Sequence, residues 1–266
     1  MMNTHDPSFT AVVLAADRGP EDPVAAAAGV PCKSLAPIGD SPMVFRVLDA
    51  LAESNEVGPR ILCGPPQEVI DQHEALKTLI SSGQISWVPN QATPSTSAYH
   101  VLQAQPDDAA VLVTTADHAL LRSEIVDYFC SHARKKGLDI AVGLARHSLV
   151  MSAYPGTKRT ATKLRDGAYC SCNLFAFLTP RARKAADFWR QVESQRKKPL
   201  RVMSAFGWIA VLRFLLGRLS LMEAQERISH RLGIKAGAVI LPFPEAAVDV
   251  DTVSHWRYVQ SVVADK

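Results

Sequence analysis

Five short apolar runs, over residues 11–15, 60–63, 85–89, 110–114 and 139–144, alternate with four segments of helical periodicity at 43–53, 67–81, 95–105 and 122–136. Parallel strands cannot be joined by a hairpin; each pair needs a crossover of a dozen residues or more, and a helix is the usual one. This alternation therefore predicts βαβ units and a three-layer, Rossmann-like α/β fold, its mostly parallel sheet flanked by helices. The segment at 122–136 places Ser123 as a capping residue and ends on lysine and arginine, which suits the negative end of a helix dipole.

The rhythm changes after residue 156. "TKRTATKLRDGAYCSCNLFAFLT" reads as two strands turning at Asp166-Gly167. Helices are expected at 181–196, 202–216 and 221–232, then strands in "AVILPF" and "AAVDVDT", and a last helix from Val253. No linker divides the chain, so residues 1–266 are expected to form one domain, with a mainly helical embellishment at about 180–235 near the C-terminal end.

Composition narrows the function classes. With 47% hydrophobic and 21% charged residues the chain reads as globular, and its net charge of +3 suits a small anionic substrate. Nucleic acid is not expected, because no basic stripe with interleaved aromatics is present; Arg196-Lys197-Lys198 beside Pro199 reads as a solvated helix end. Five scattered cysteines predict reduced thiols and a cytoplasmic location. Cys170 and Cys172 point the same way on a strand and read as buried or pocket-lining, with no second pair to complete a zinc site. The opening "MMNTHDPSF" lacks the basic and apolar segments of a signal peptide. The most apolar stretch, 204–222, is interrupted by Arg213 and Arg218 and is too broken for a transmembrane helix. Within it Phe206, Ile209, Leu212 and Leu216 recur at helical spacing, while Trp208, Val211, Phe214 and Leu215 widen the apolar face. That width leaves three readings open: a helix buried on two sides, a homodimer contact, or a membrane-surface contact.

Three pieces carry chemistry. "FTAVVLAADRGPEDPVAAAAGVPCK" is a strand, a small-residue loop and then Lys33, an arrangement that lets backbone N–H groups and one cation approach a phosphate. "VLVTTADHALL" ends an apolar strand at Asp117, where open α/β sheets bind ligands. "VDVDTVSHW" carries Asp249 and Asp251, which alternate at a strand end and so face one side. Carboxylates gathered beside a phosphate loop make a site for Mg²⁺. On the residues alone, Asp117 also reads as a helix cap and Asp249 with Asp251 as an Asx turn. Lys163 and Arg165 also read as an exposed strand face.

In their order and spacing these pieces resemble the GT-A-fold nucleotidyltransferases, in particular the molybdenum-cofactor guanylyl- and cytidylyltransferase-like (MobA-like) NTP transferases. "VVLAADRG" with "PCKSLAPIGDSPMVFRVLDAL" stands for the family's first strand and lysine segment, "TADHALL" for its "GDxPL"-like strand end, and "DVDTVSHW" for its late "DIDTPEDL"-like turn. The resemblance implies a GT-A type sheet and Mg²⁺-dependent transfer of NMP from an NTP to a small phosphorylated acceptor, releasing pyrophosphate. It implies that Leu14, Ala15, Ala16 and Gly19 surround the nucleotide and that Lys33 neutralises charge on the α-phosphate. Asp117 and Asp251 would hold the metal, with Asp249 the weaker third. Ser95 and Ser97, in "PNQATPSTSAYHVL", would touch base and ribose, and their presence favours CTP slightly over GTP. Asn173 would face the acceptor, and Lys163 and Arg165 would hold its phosphate. Homodimers are common among such relatives. Asp17 stands where the family usually has its first loop glycine; about 4 Å from a phosphate its charge would cost about 4 kcal/mol at an effective dielectric near 20, so it is expected to point away. Residues 184–233 have no counterpart in the family pattern. The competing classes are a GT-A-type glycosyltransferase, which would carry Asp-x-Asp where this chain has Ala116-Asp117-His118, and a non-catalytic nucleotide-binding regulatory protein.

Overall fold

Val12 and Val13 give the first apolar run the β-branched character that favours a pleated, buried strand, and β1 (Phe9–Leu14) is buried at every residue. The computed structural model describes residues 8–16, 21–157, 159–194 and 208–264. In chain order the remaining strands are β2 (Pro37–Ile38), β3 (Ser41–Pro42), β4 (Val57–Cys63), β5 (Ser86–Val88), β6 (Val111–Thr115), β7 (Ile140–Arg146), β8 (Thr162–Leu164), β9 (Gly167–Phe177) and β10 (Ala236–Leu241). The helices are α1 (Pro23–Ala28), α2 (Met43–Ala52), α3 (Gln67–Gln72), α4 (Glu74–Ser81), α5 (Pro94–Gln103), α6 (Ser123–Lys135) and α7 (His147–Ala153). They continue with α8 (Arg183–Ser194), α9 (Trp208–Leu215), α10 (Leu221–Leu232) and α11 (Val253–Ala264).

Eight strands form one sheet in the order β10-β7-β9-β6-β1-β4-β5, with β8 paired to β9 at its side, while β2 and β3 make a separate ribbon. The pairs β1–β4, β1–β6, β4–β5 and β10–β7 are parallel. Only β9, antiparallel to β6, β7 and β8, breaks that direction. The carboxyl ends of β1, β4 and β6 therefore meet along one rim. One face of the sheet packs on α2 and α6 through Val47, Leu51, Ile125 and Phe129, and the other on α5 and α8 through Ala98, Leu102 and Ala186. A third cluster of Val24, Ile38, Met43, Val250 and Trp256 closes α1 and α11 over the β2–β3 ribbon.

The departures from expectation have local causes. The helix expected at 67–81 breaks at His73, whose extended backbone lets its Nδ1 accept from the Leu76 N–H at 3.4 Å and cap α4. Ser123 does not cap α6; Arg122 takes that place, without a side-chain bond. Leu164 pairs with Gly167, so the hairpin turns on Arg165-Asp166, one residue earlier than the Asp-Gly step, and Gly167 supplies a φ of 145°. "AAVDVDT" is no strand: Pro244–Ala247 forms a 3-10 turn, which suits a proline without an N–H, and residues 248–251 follow without ladder pairing. Helix α7 was not anticipated. The helix expected over 202–216 begins at Trp208; its earlier residues, Phe206 among them, lie outside the described ones. No helix among the described residues is long and apolar enough to cross a membrane.

Candidate active site

The rim where β1, β4 and β6 end is held shut by backbone bonds that continue past the strands. The Ala15 N–H donates to the Cys63 carbonyl and the Ala116 N–H to the Leu14 carbonyl, both at 2.9 Å. Leu14 and Ala15 are buried and Ala16 is half-buried at these strand ends. Gly64 approaches this segment closely: with φ at 79°, a Cβ there would stand 3.3 Å from the Ala16 nitrogen. Gly19 and Asp17 lie outside the described residues.

Lys33 begins a 3-10 turn that the buried Ser34 and Leu35 anchor. Its Nζ donates to Asp117 Oδ2 at 2.5 Å and to the Val250 carbonyl at 3.1 Å. The Val250 N–H in turn donates to the Asp117 carbonyl at 3.1 Å, so three separate chain segments clamp one ion pair. The two side chains remain 16% and 15% exposed, enough to meet a ligand. Burial works against both charges, but the pairing wins. Asp117 holds its carboxyl below the usual range through the Lys33 ammonium, and the Lys33 ammonium is raised by Asp117, with Asp251 and Asp22 adding to it. Asp22 escaped the sequence reading. Its carboxylate caps α1 by accepting from the Val24 N–H at 2.9 Å, and Asp before Pro at a helix start is the signal that finds it.

Asp249 does not share a face with Asp251. Asp249 is buried and Asp251 exposed, because residues 248–251 leave a 3-10 turn instead of running along a strand. Both Asp249 oxygens are taken, by the two terminal nitrogens of Arg159 and by the Asn173 amide at 2.7 Å. Asp249, the third metal ligand implied by the resemblance, holds an arginine in this structure. Arg159 was also missed, although the basic stretch that holds it was read. Asn173, at the only positive φ of a non-glycine residue among those described (49°), turns its amide to this pair. His118 lies buried next to Asp117. Burial lowers its pKa most, Asp117 opposes and Arg159 adds, leaving about 4, so the ring is neutral at pH 7. Cys170 and Cys172 are buried, and burial raises both thiols.

Ser95 and Ser97 turn into the protein. Both are fully buried in the first turn of α5. The Ser95 hydroxyl and N–H bond Glu193 of α8, and the Ser97 hydroxyl accepts from the Gln91 N–H at 2.8 Å. In this structure both hydroxyls bond within the protein. Lys163 and Arg165 are exposed on the β8–β9 hairpin, which projects past the carboxyl end of β7, and neither makes an ion pair among the described residues. They are not joined to the Lys33 cluster.

The cluster fits a hard divalent cation. Asp117 Oδ1 is buried without a hydrogen-bond partner among the described residues, and Asp251 lies exposed nearby. Among those residues no three His, Cys, Asp or Glu side chains gather into a complete cage. Two carboxylates, with the remaining positions left to phosphate and water, are what Mg²⁺ takes in nucleotide sites.

The sequence profile of the MobA-like NTP transferase domain matches residues 11–212. A solved hypothetical transferase from Thermus thermophilus is similar at a TM-score of 0.75 and 28% identity, over 93% of this chain and 99% of that one. CMP:2-keto-3-deoxy-manno-octonic acid synthetase complexed with CTP reaches 0.59 at 13% identity, over 97% and 99% of the two chains. 4-Diphosphocytidyl-2C-methyl-D-erythritol synthase from Anaerococcus prevotii reaches 0.58 at 13%, over 97% and 100%. At that identity the last two share the fold. No protein of curated function matches.

Proposed function

The chain belongs to the MobA-like NTP transferase family, and from that premise we propose that it transfers a nucleoside monophosphate from an NTP to a small phosphorylated acceptor. The clamped Lys33–Asp117 pair at the strand ends is the observation that carries this reading. An acceptor phosphate oxygen attacks the α-phosphorus; the new P–O bond forms as the bond to the β-phosphate breaks, and pyrophosphate leaves. The nucleophile is already anionic at neutral pH, so no general base is needed. Catalysis rests on in-line positioning and on charge placed where it develops. Lys33 meets the α-phosphoryl oxygens. Asp117 and Asp251 would hold Mg²⁺, which would supply positive charge against the phosphate oxygens. Arg159, oriented by Asp249 and backed by Asn173, anchors the acceptor phosphate.

CTP is the donor to try first, since both of the more distant similar structures carry cytidine in their names; GTP comes next. That preference is a fold-level analogy, because the serines that favoured CTP are turned inward. The same reading puts the protein in the cytoplasm, supported by five cysteines that lie buried as thiols and not in disulfides.

The test is pyrophosphate release from each of the four NTPs across a panel of sugar, polyol and cofactor phosphates. Asp117→Asn is expected to abolish most turnover while keeping a cooperative melt, and EDTA to do the same reversibly. Near-normal release from the variant would overturn the metal assignment. NTP binding without turnover on every acceptor would favour a regulatory protein.

A further inference from the structure

Helices α8, α9 and α10 stand on the same side of the sheet as α5 and leave a cavity of about 610 Å³ over β7, β8 and β9. That lies within the roughly 300–1,000 Å³ span of small-molecule sites. Leu144, Leu164, Val211 and Ile228 are typical of its lining, which is almost wholly apolar. Among the described residues that line it, the only charged ones are Arg227 and Arg231, one turn apart on α10. Neither is in an ion pair among the described residues, and Arg231 lies over the Phe188 ring at 5.9 Å.

The mouth is as unusual as the interior. Phe214 and Leu215 line the cavity yet remain 43% and 70% exposed. Leu212, Leu216 and Met222 are exposed beside them, whereas Leu149 is the one other exposed large apolar side chain among the described residues. Burying such groups is worth about 25 cal/mol per Å², and the fold leaves that gain unrealised at this one place. The wall also adjoins the candidate active site. Ser171 lines the cavity and its hydroxyl accepts from the Asn173 N–H, while the Asn173 amide holds Asp249.

We propose that this cavity is a binding site for a single-chain amphiphile bearing one anionic group, its chain in the apolar interior and its phosphate or carboxylate on Arg227 and Arg231. Charge complementarity argues for the class: Arg227 and Arg231 line the cavity and are also exposed to solvent, so an anionic head can meet them while remaining hydrated and its chain fills the apolar interior. Guanidinium groups suit a planar or tetrahedral oxyanion because they donate in pairs. The proposal does not depend on the transfer chemistry above.

Calorimetric titration of the full chain with butyl, octyl and dodecyl phosphate, kept below micellar concentration, tests it. Affinity is expected to rise about fourfold per added methylene until the cavity is full. Ala224→Trp, which fills the cavity from α10, is expected to weaken octyl phosphate about tenfold or more. Arg227→Gln with Arg231→Gln is expected to weaken octyl phosphate by a similar factor and to leave octanol unchanged. Circular dichroism melts establish that each variant is folded. No uptake, or affinity independent of chain length and untouched by Ala224→Trp, would overturn the proposal. Retention on bare phospholipid vesicles without uptake would reassign the lip to a membrane surface. A dimer that Leu215→Glu dissociates, again without uptake, would reassign it to a second copy.

Discussion

Helix α6 buries Ile125, Val126, Phe129, Cys130 and Ala133 against the sheet, whereas α10, nearly as long and also amphipathic, has no fully buried residue. The first belongs to the half that carries Lys33 and Asp117; the second roofs the apolar cavity. Around the ion pair, Lys33 is held by Asp117 and a backbone carbonyl, and the elements behind it are buried. Around the cavity, secondary structure is held by caps and an ion pair, Ser220 with Glu223 and Glu223 with Arg213, more than by packing. A transition state needs donors that do not move. A variable apolar ligand is served by walls that can.

Four measurements can break or sharpen that contrast. The largest effect belongs to Arg159→Ala. The two side chains of the Arg159–Asp249 pair are 9% and 10% exposed, and removing one partner strands a buried charge, so urea unfolding should show a loss of about 3–5 kcal/mol. A loss below about 1 kcal/mol would mean that this half is looser than it looks. Lys33→Ala should lower kcat by about 10²–10³ with a smaller change in KM for the NTP, while Leu216→Ser, on an exposed position, should leave the rate unaltered. A pure KM effect would make Lys33 a binding residue only.

Third comes pH. His118 titrates near 4 in the folded protein and at 6.5 when exposed, so between those values the unfolded chain binds the extra proton and stability falls as pH falls. The loss across that window should reach about 3 kcal/mol in metal-free protein, and His118→Gln should flatten it. An unchanged slope in the variant would place the acid sensitivity elsewhere. The smallest effect is Ser220→Ala, which removes the cap of α10, where the Ser220 Oγ accepts from the Glu223 N–H at 3.2 Å. A cost of about 1 kcal/mol should appear as faster amide exchange confined to α10, with the global midpoint nearly still. If the whole protein shifts together, the cavity roof is as integral as α6.

How much of this was legible in the sequence depends on how local the signal is. β1, β6 and β7 announce themselves because a strand buried on both faces is a nearly continuous apolar run. Lys33 and Asp117 stood out because each follows or ends such a run. Asp249 and Asp251 misled, since alternation implies a shared face only in a strand, and Pro244 starts a 3-10 turn that rotates them apart. The inward turn of Ser95 and Ser97 was not legible, because the Ser95 hydroxyl is claimed by Glu193, 98 residues away, and the Ser97 hydroxyl by the Gln91 N–H. Arg159 and Asp22 matter through partners distant in sequence or through a cap, and periodicity reports on neither.

Strand β9 has one more consequence. It runs between β6 and β7 and provides every ladder bond by which those two are joined. As the chain leaves the ribosome, β1, β4, β5 and β6 can pair among themselves by residue 115, but β7 then emerges with no partner, and β6 keeps an open flank until residues 167–177 arrive. An unpaired strand edge in a half-made chain is a template for the wrong partner. The antiparallel strand thus closes the open flank of β6 and one edge of β7, whose other edge waits for residues 236–241 of β10.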